Sequence, residues 1–179
     1  RVSFGAMLKS ATQNPPLVVL LSSDFFRYMT NFVMSAAAAY YFTYVAQNMA
    51  LFSTYLLVTA VCRMIGSYIA GAMAKKLSTR TTTIVGLIGV AASLIICKFV
   101  AMNVVLFFVF VLIASVFLGI VYSVMVGLYS DVSIYARWKT GEDTSAFVMG
   151  LMNVALKLAI IARGTVIPFI LDRSGFDPN

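Results

Sequence analysis

The chain has 179 residues, of which 61% are hydrophobic and only 11% are charged, and its formal net charge is +7. Together with a mean hydropathy of +0.96, these values lie outside the range of soluble globular domains and predict an all-α integral membrane protein. The sequence has no His and only two Cys, which excludes zinc sites, Cys-His nucleophiles and a disulfide framework, so no metal site is predicted.

Five apolar stretches are each long enough to cross a bilayer, which takes about 20 residues as a helix. In chain order they are approximately 17–46, 50–74, 83–101, 104–130 and 144–171. Polar residues separate them, and the longest break predicts a loop from Asp131 to Asp143. The alternating pattern of membrane β-strands does not occur, so the prediction is a bundle of five transmembrane helices.

The distribution of Lys and Arg predicts the orientation, because cytoplasmic loops of membrane proteins are enriched in both. One side receives two of them, Lys98 and Arg173, whereas the other receives seven: Arg1, Lys9, Lys75, Lys76, Arg80, Arg137 and Lys139. We therefore expect a multi-pass protein of the plasma (inner) membrane with a cytoplasmic amino terminus and with the carboxyl end of the chain outside. Topology accounts for the positive charge, and no nucleic acid partner is expected.

The first stretch carries a stripe of polar residues at helical spacing: Asp24, Arg27, Tyr28, Asn31 and Ser35. Asp24 and Arg27 are three residues apart, so they either neutralise each other on one helix face or line a substrate cavity. Arg63 lies near the middle of the second stretch, where a carboxylate on another helix would pair with it, and it is a weaker candidate.

The fifth stretch contains Lys157, at least ten residues from either end. A lysine at the centre of a membrane helix costs roughly 2.5–3.5 kcal/mol, so it normally faces a polar cavity or a partner. Asn153 lies one turn earlier on the same face, beside small residues that leave room, and the pattern predicts a cavity. The alternative is a structural salt bridge from Lys157 to Asp24 or to a carboxylate outside this sequence.

The fourth stretch places Tyr122 and Tyr129 seven residues apart on one face, a pattern that is more typical of interhelical packing with a hydrogen bond than of ligand binding. For Tyr129, near the cytoplasmic end, it indicates packing or interface anchoring. After it comes the segment Asp131–Gly141, which reads DVSIYARWKTG. This segment resembles the loop after the tenth helix of the glycoside-pentoside-hexuronide cation symporters, the melibiose permease relatives of the major facilitator superfamily. The matching positions are Asp131, Tyr135, Trp138, Lys139, Thr140 and Gly141, whereas Ile134 and Arg137 replace acidic residues of the family pattern.

The resemblance implies that the five stretches correspond to helices 7–11 of a twelve-helix fold. The opening Val2–Gly5 and the segment from Asn14 to Leu17 also resemble the approach to the seventh helix. The chain starts with Arg1 and not with Met, and we expect 1–179 to be a single partial domain, the carboxyl-terminal half of a longer transporter. The amino-terminal half and the final helix would then be its partners in the same protein, together with the lipid bilayer.

The resemblance also implies a function: symport of sugars, glycosides or hexuronides, coupled to Na⁺ or H⁺, by alternating access. Lys157 falls where melibiose-type members place a lysine that faces the central cavity, and Tyr122 falls where relatives offer an aromatic ring to the sugar. The predicted substrate-binding or coupling residues are Lys157, Asn153, Tyr122, Asp24 and Arg27. The predicted cytoplasmic loop motif is Asp131, Tyr135, Trp138 and Lys139. No cofactor is implied apart from the coupling cation, whose ligands are expected on the amino-terminal half.

Other classes of function are weaker or remain open. A channel would show rings of like residues or a re-entrant filter, and an intramembrane enzyme would need a nucleophile-base pair or metal ligands in the bilayer. The sequence has neither pattern, so no enzyme is predicted. Two alternatives stay open: a non-transporting, sensor-like relative and a transporter of a different small solute.

Overall fold

The computed structural model describes residues 13–141 and 143–173, and over these residues the chain forms five long α-helices. They are α1 (Pro15–Tyr40), α2 (Met49–Leu77), α3 (Thr79–Val100), α4 (Val104–Thr140) and α5 (Ser145–Arg173), and a short π-helix, Tyr41–Val45, continues α1. The described part of the chain contains no β-strand. Each helix overlaps one predicted stretch. The Val2–Gly5 resemblance and the charges of Arg1 and Lys9 lie outside the described residues.

Four of the helices, α2 to α5, are long and apolar enough to cross a membrane. Helix α1 has 26 residues but is not among these four, because polar side chains such as Asp24, Arg27 and Asn31 interrupt its apolar residues. Multi-pass insertion of the chain therefore rests on α2 to α5, and the crossing by α1 stays a prediction.

The described residues belong to two compact units. The terminal unit comprises the described parts of Arg1–Tyr40 and Tyr129–Asn179, and the central unit comprises Tyr41–Leu128. Helix α4 contributes to both, since the boundary between the units falls between Leu128 and Tyr129.

In the terminal unit, α1 packs against α5. The contacting face of α5 is built from small and branched side chains, since Val148, Ala155 and Ala159 are buried. Asn14 caps α1, because its Oδ1 accepts a hydrogen bond from the Leu17 amide at 3.2 Å and Pro15, the first helical residue, has no amide hydrogen to satisfy.

In the central unit, α2 and α4 approach closely at two glycines. A Cβ on Gly66 would overlap the Val116 carbonyl, and a Cβ on Gly119 would overlap the backbone of Arg63. Small residues of this kind let membrane helices come together where the hydrophobic effect offers no driving force. The close approach of α2 and α4 therefore requires glycine, which has no Cβ, at both positions.

Helix α4 corrects the prediction of a loop at Asp131. It continues without interruption to Thr140, so Asp131, Tyr135, Trp138 and Lys139 lie on its last turns. The polar residues from Asp131 onward end the apolar stretch but not the helix, because none of them is Gly or Pro. The helix ends just before Gly141, whose φ of +74° is typical of a helix-ending glycine. At 37 residues and about 1.5 Å per residue, α4 is about 55 Å long and exceeds a hydrocarbon layer of about 30 Å.

Candidate functional site

Asp24, Arg27 and Tyr129 form a buried polar cluster in the terminal unit. Arg27 donates to Oδ1 of Asp24 from Nε at 2.9 Å and from Nη2 at 2.5 Å, and the Tyr129 hydroxyl donates to Oδ2 at 2.9 Å. The exposed fraction of the Asp24 and Arg27 side chains is 0% and 1%, so the ion pair is screened from the surroundings. The three-residue spacing of Asp24 and Arg27 thus produces the within-helix pair that it allows.

Tyr129 is the member of this cluster for which the sequence predicts packing or interface anchoring. It is fully buried, and its hydroxyl reaches a carboxylate 105 positions away in the chain. This bond agrees with the predicted packing, because a tyrosine buried in an apolar helix needs a hydrogen-bond partner for its hydroxyl. Asp24 thus accepts hydrogen bonds from Arg27 and Tyr129, and not from Lys157.

Lys157 and Asn153 lie side by side on one face of α5, four residues apart. Both are exposed, as are the glycines Gly150 and Gly164 near them, whereas the opposite face of the helix is packed against α1. An exposed ammonium near the middle of an apolar helix requires water or a polar partner within the membrane. This face of α5 thus carries an amide and an ammonium side by side.

Arg163 is a second cation on α5, six residues after Lys157. Its guanidinium carbon lies 4.9 Å from the centroid of the Phe32 ring on α1, close enough for a cation–π interaction. The two side chains border a cavity of about 440 Å³, which Ser35 and Pro168 also line. The aromatic ring provides a favourable surface for a cation that would otherwise face lipid.

Tyr122 and Arg63 meet at a cavity of about 370 Å³ in the central unit. The other lining residues are Met64, Ser67, Gly119 and Ser123, and the Ser123 hydroxyl donates to the Ser67 hydroxyl at 2.6 Å. From the sequence, Arg63 and Tyr122 are separate candidates on two helices. The crossing of α2 and α4 places them on one cavity that carries a positive charge and three hydroxyl groups.

The end of α4 is attached to the segment that precedes α1. Lys139 donates from Nζ to the Gln13 carbonyl at 2.6 Å, and Asn14 donates from Nδ2 to the Val132 carbonyl at 3.3 Å. By contrast, Asp131 is exposed, and 79% of Trp138 is exposed. Of the motif residues, Lys139 thus holds this junction, whereas Asp131 and Trp138 face outward.

Arg137 approaches Asp143, with Nη1 3.9 Å from Oδ2. Hydrogen bonds from the Ser145 side chain and backbone lower the pKa of the Asp143 carboxyl, and the Arg137 charge lowers it further. Both Arg137 and Asp143 are largely exposed, so their attraction contributes little to stability. Arg137, which departs from the family pattern, thus has an acidic neighbour just before α5.

The described residues contain no group of three His, Cys, Asp or Glu side chains that could hold a metal ion. The candidate groups are instead a guanidinium, an ammonium, an amide and several hydroxyls. Such groups can donate hydrogen bonds to hydroxyl and carboxylate oxygens, and the phenol ring of Tyr122 can also contact an apolar surface.

A sequence profile of the family described as MFS/sugar transport protein matches residues 1–179. The chain is 26% identical over 180 residues to the "Uncharacterized symporter YjmB" of Bacillus subtilis (strain 168), a match that covers 100% of the chain and 39% of that relative. It is 25% identical over 179 residues to the "Glucuronide carrier protein homolog" of Escherichia coli (strain K12), covering 99% of the chain and 39% of that relative. The chain therefore spans about two fifths of the length of these curated relatives. No solved structure matches it.

Proposed function

Because the chain belongs to the MFS/sugar transport protein family, we propose that it forms part of one half of a cation-coupled symporter for sugars, glycosides or hexuronides. The observation that carries the proposal is the family match along all 179 residues. The names of the two relatives, a symporter and a glucuronide carrier homolog, support the same class of substrate. Transport by alternating access requires a second wall, which residues beyond this chain would supply.

The exposed face of α5 is the proposed wall of the substrate cavity. Lys157 is twelve residues after Ser145, which places it about 18 Å along the helix axis and near the midplane of a bilayer of about 30 Å. Secondary transporters bind substrate at this depth. The Lys157 ammonium would donate to a sugar hydroxyl or a uronate carboxylate, or compete with the coupling cation for carboxylates elsewhere in the transporter. Asn153 would donate and accept hydrogen bonds beside it.

Tyr122 would offer its ring to a sugar face while its hydroxyl remains in a polar cavity. Asp24 and Arg27 would act differently, because they are buried and bonded to each other and to Tyr129. We assign Asp24 and Arg27 a structural role: together with Tyr129 they hold α1 against the carboxyl-terminal part of α4.

The coupling ion is proposed to be Na⁺ or H⁺, held by carboxylates outside this chain. The junction formed by Lys139 and Gln13 would lie on the cytoplasmic side of a plasma membrane, as the distribution of Lys and Arg predicts. The exposed members of the motif, Asp131 and Trp138, together with the half-buried Tyr135, would then contact cytoplasmic parts of the transporter during alternating access.

Uptake into proteoliposomes that contain the full-length transporter tests the proposal. Radiolabelled phenyl glucuronide should accumulate above its external concentration when an inward Na⁺ or H⁺ gradient is imposed, and an ionophore that dissipates the gradient should abolish accumulation. Uptake that reaches equilibrium but ignores both gradients would contradict cation coupling. No uptake of neutral or acidic glycosides would favour the sensor-like alternative or a different solute.

A further inference from the structure

Arg63 is the cation at the centre of α2, fourteen residues from Met49 and fourteen from Leu77. A guanidinium at this depth is costly in lipid, so it should face a polar cavity or a negatively charged group. The stretch from Phe25 to Ser130 contains no Asp or Glu. Any carboxylate that pairs with Arg63 therefore comes from outside this stretch or from a ligand.

Helices α2 and α4 meet at the backbone of Arg63. Gly119 packs directly against the backbone of Arg63, and the hydrogen bond between Ser67 and Ser123 lies one turn away on each helix. The phenol of Tyr122 borders the same cavity. The lining residues thus include an arginine and three residues with hydroxyl groups, and none of them is acidic.

The size and lining residues of this cavity suit an acidic sugar. A volume of about 370 Å³ lies within the range of about 300–1,000 Å³ that is usual for small-molecule sites. A guanidinium binds a carboxylate through two parallel hydrogen bonds, which neither a lysine nor a hydroxyl can reproduce. The Tyr122 ring and the serine hydroxyls offer an apolar face and polar groups for a pyranose ring beside that carboxylate.

We propose that Arg63, with Tyr122, Ser67 and Ser123, forms the subsite that recognises the carboxylate of a hexuronide and selects it over the matching neutral glycoside. This inference rests on the proposed transport function and adds a basis for substrate selection to it. It assigns Arg63 a role in recognition. The position of Arg63 in the middle of α2 would by itself fit a structural ion pair equally well.

The test is equilibrium binding of two matched ligands to the purified full-length transporter. Phenyl β-D-glucuronide and phenyl β-D-glucoside differ only in a carboxylate or a CH₂OH group at C6. The measured quantity is the ratio of the glucuronide Kd to the glucoside Kd. Loss of a charge-assisted pair should raise this ratio roughly 10-fold to 100-fold in Arg63→Gln. Arg63→Lys keeps the charge but loses the paired geometry, so its ratio should rise less.

Arg80→Gln is the matched control, because it removes an exposed arginine at the start of α3, outside the cavity. Its ratio should equal that of the wild type. An Arg63→Gln ratio within about twofold of the wild type would overturn the inference, and so would an equal loss of affinity for both ligands. If Arg63→Gln does not insert, an unchanged ratio in Arg63→Lys would overturn it. If the wild type transports both ligands, these results contradict only the role of Arg63. If the wild type neither binds nor transports either ligand, the proposed function itself fails.

Discussion

Replacing Asp24 should destabilise the terminal unit more than any other single change in its polar cluster. Asp24→Leu removes the carboxylate that Arg27 contacts with two nitrogens and that Tyr129 contacts with its hydroxyl. Breaking a buried ion pair by removing one partner costs about 3–5 kcal/mol, because a buried charge loses its counter-charge. Tyr129→Phe removes only the hydroxyl, so its cost should be about 1.5–3 kcal/mol, the usual contribution of a hydrogen bond to a charged group.

The double variant Asp24→Leu/Arg27→Leu gives the sharper test. It removes both charges together, and such replacements of buried pairs are often neutral. The double variant should therefore be more stable than Asp24→Leu, with a coupling free energy of at least about 1 kcal/mol. The measurement is the free energy of unfolding of the full-length transporter in detergent, from denaturant titration.

Lys98→Leu is the control for this cycle, because it removes an exposed cation from the last turn of α3. Its free energy of unfolding should remain close to that of the wild type. Additive effects of the Asp24 and Arg27 substitutions would refute the argument, since they would mean that the two side chains do not stabilise each other.

Three further changes have expected outcomes. Asn14→Ala removes the cap of α1 and should lower the free energy of unfolding by about 0.5–2 kcal/mol, as measured by denaturant titration. Gly119→Ala places a methyl group against the backbone of Arg63 and should lower the melting temperature and the yield of folded protein, whereas Gly150→Ala, in open space, should change neither. The lowered pKa of Asp143 means that its contribution to stability is present above its ordinary pKa of 3.8 and is lost as the pH falls through the lower, folded-state value. Acidification from about pH 6 to about pH 3 should therefore destabilise the wild type more than Asp143→Asn, as measured by the melting temperature, and equal losses would contradict this role.

Much of the fold could be predicted from the apolar stretches and the spacing within them. The resemblance in Asp131–Gly141 to cation symporters of the major facilitator superfamily is confirmed by the family match over the whole chain. The end of α4 could not be located by hydropathy, because a helix that leaves the bilayer becomes polar without changing its backbone. The glycine at 141 was the stronger signal.

For the candidate sites, contacts within one helix could be predicted from the sequence, whereas contacts between helices could not. The pairing of Asp24 with Arg27 follows from a three-residue spacing, which brings side chains together on any helix. The contact between Tyr129 and Asp24 depends on which helices are neighbours. Helical periodicity shows which side chains share a face, but it does not show which helix packs against that face. For the same reason the sequence does not predict that Arg63 and Tyr122 border one cavity.

The most direct test of the central proposal is gradient-driven accumulation of labelled phenyl glucuronide by proteoliposomes that contain the full-length transporter with Lys157→Met. This substitution keeps the length of the side chain and removes its charge, and Lys98→Met is the matched control at an exposed lysine of α3. We expect Lys157→Met to insert normally but to lose accumulation, while Lys98→Met accumulates the glucuronide like the wild type. Accumulation by Lys157→Met at the wild-type level would contradict the proposal that the exposed face of α5 borders the substrate or coupling site.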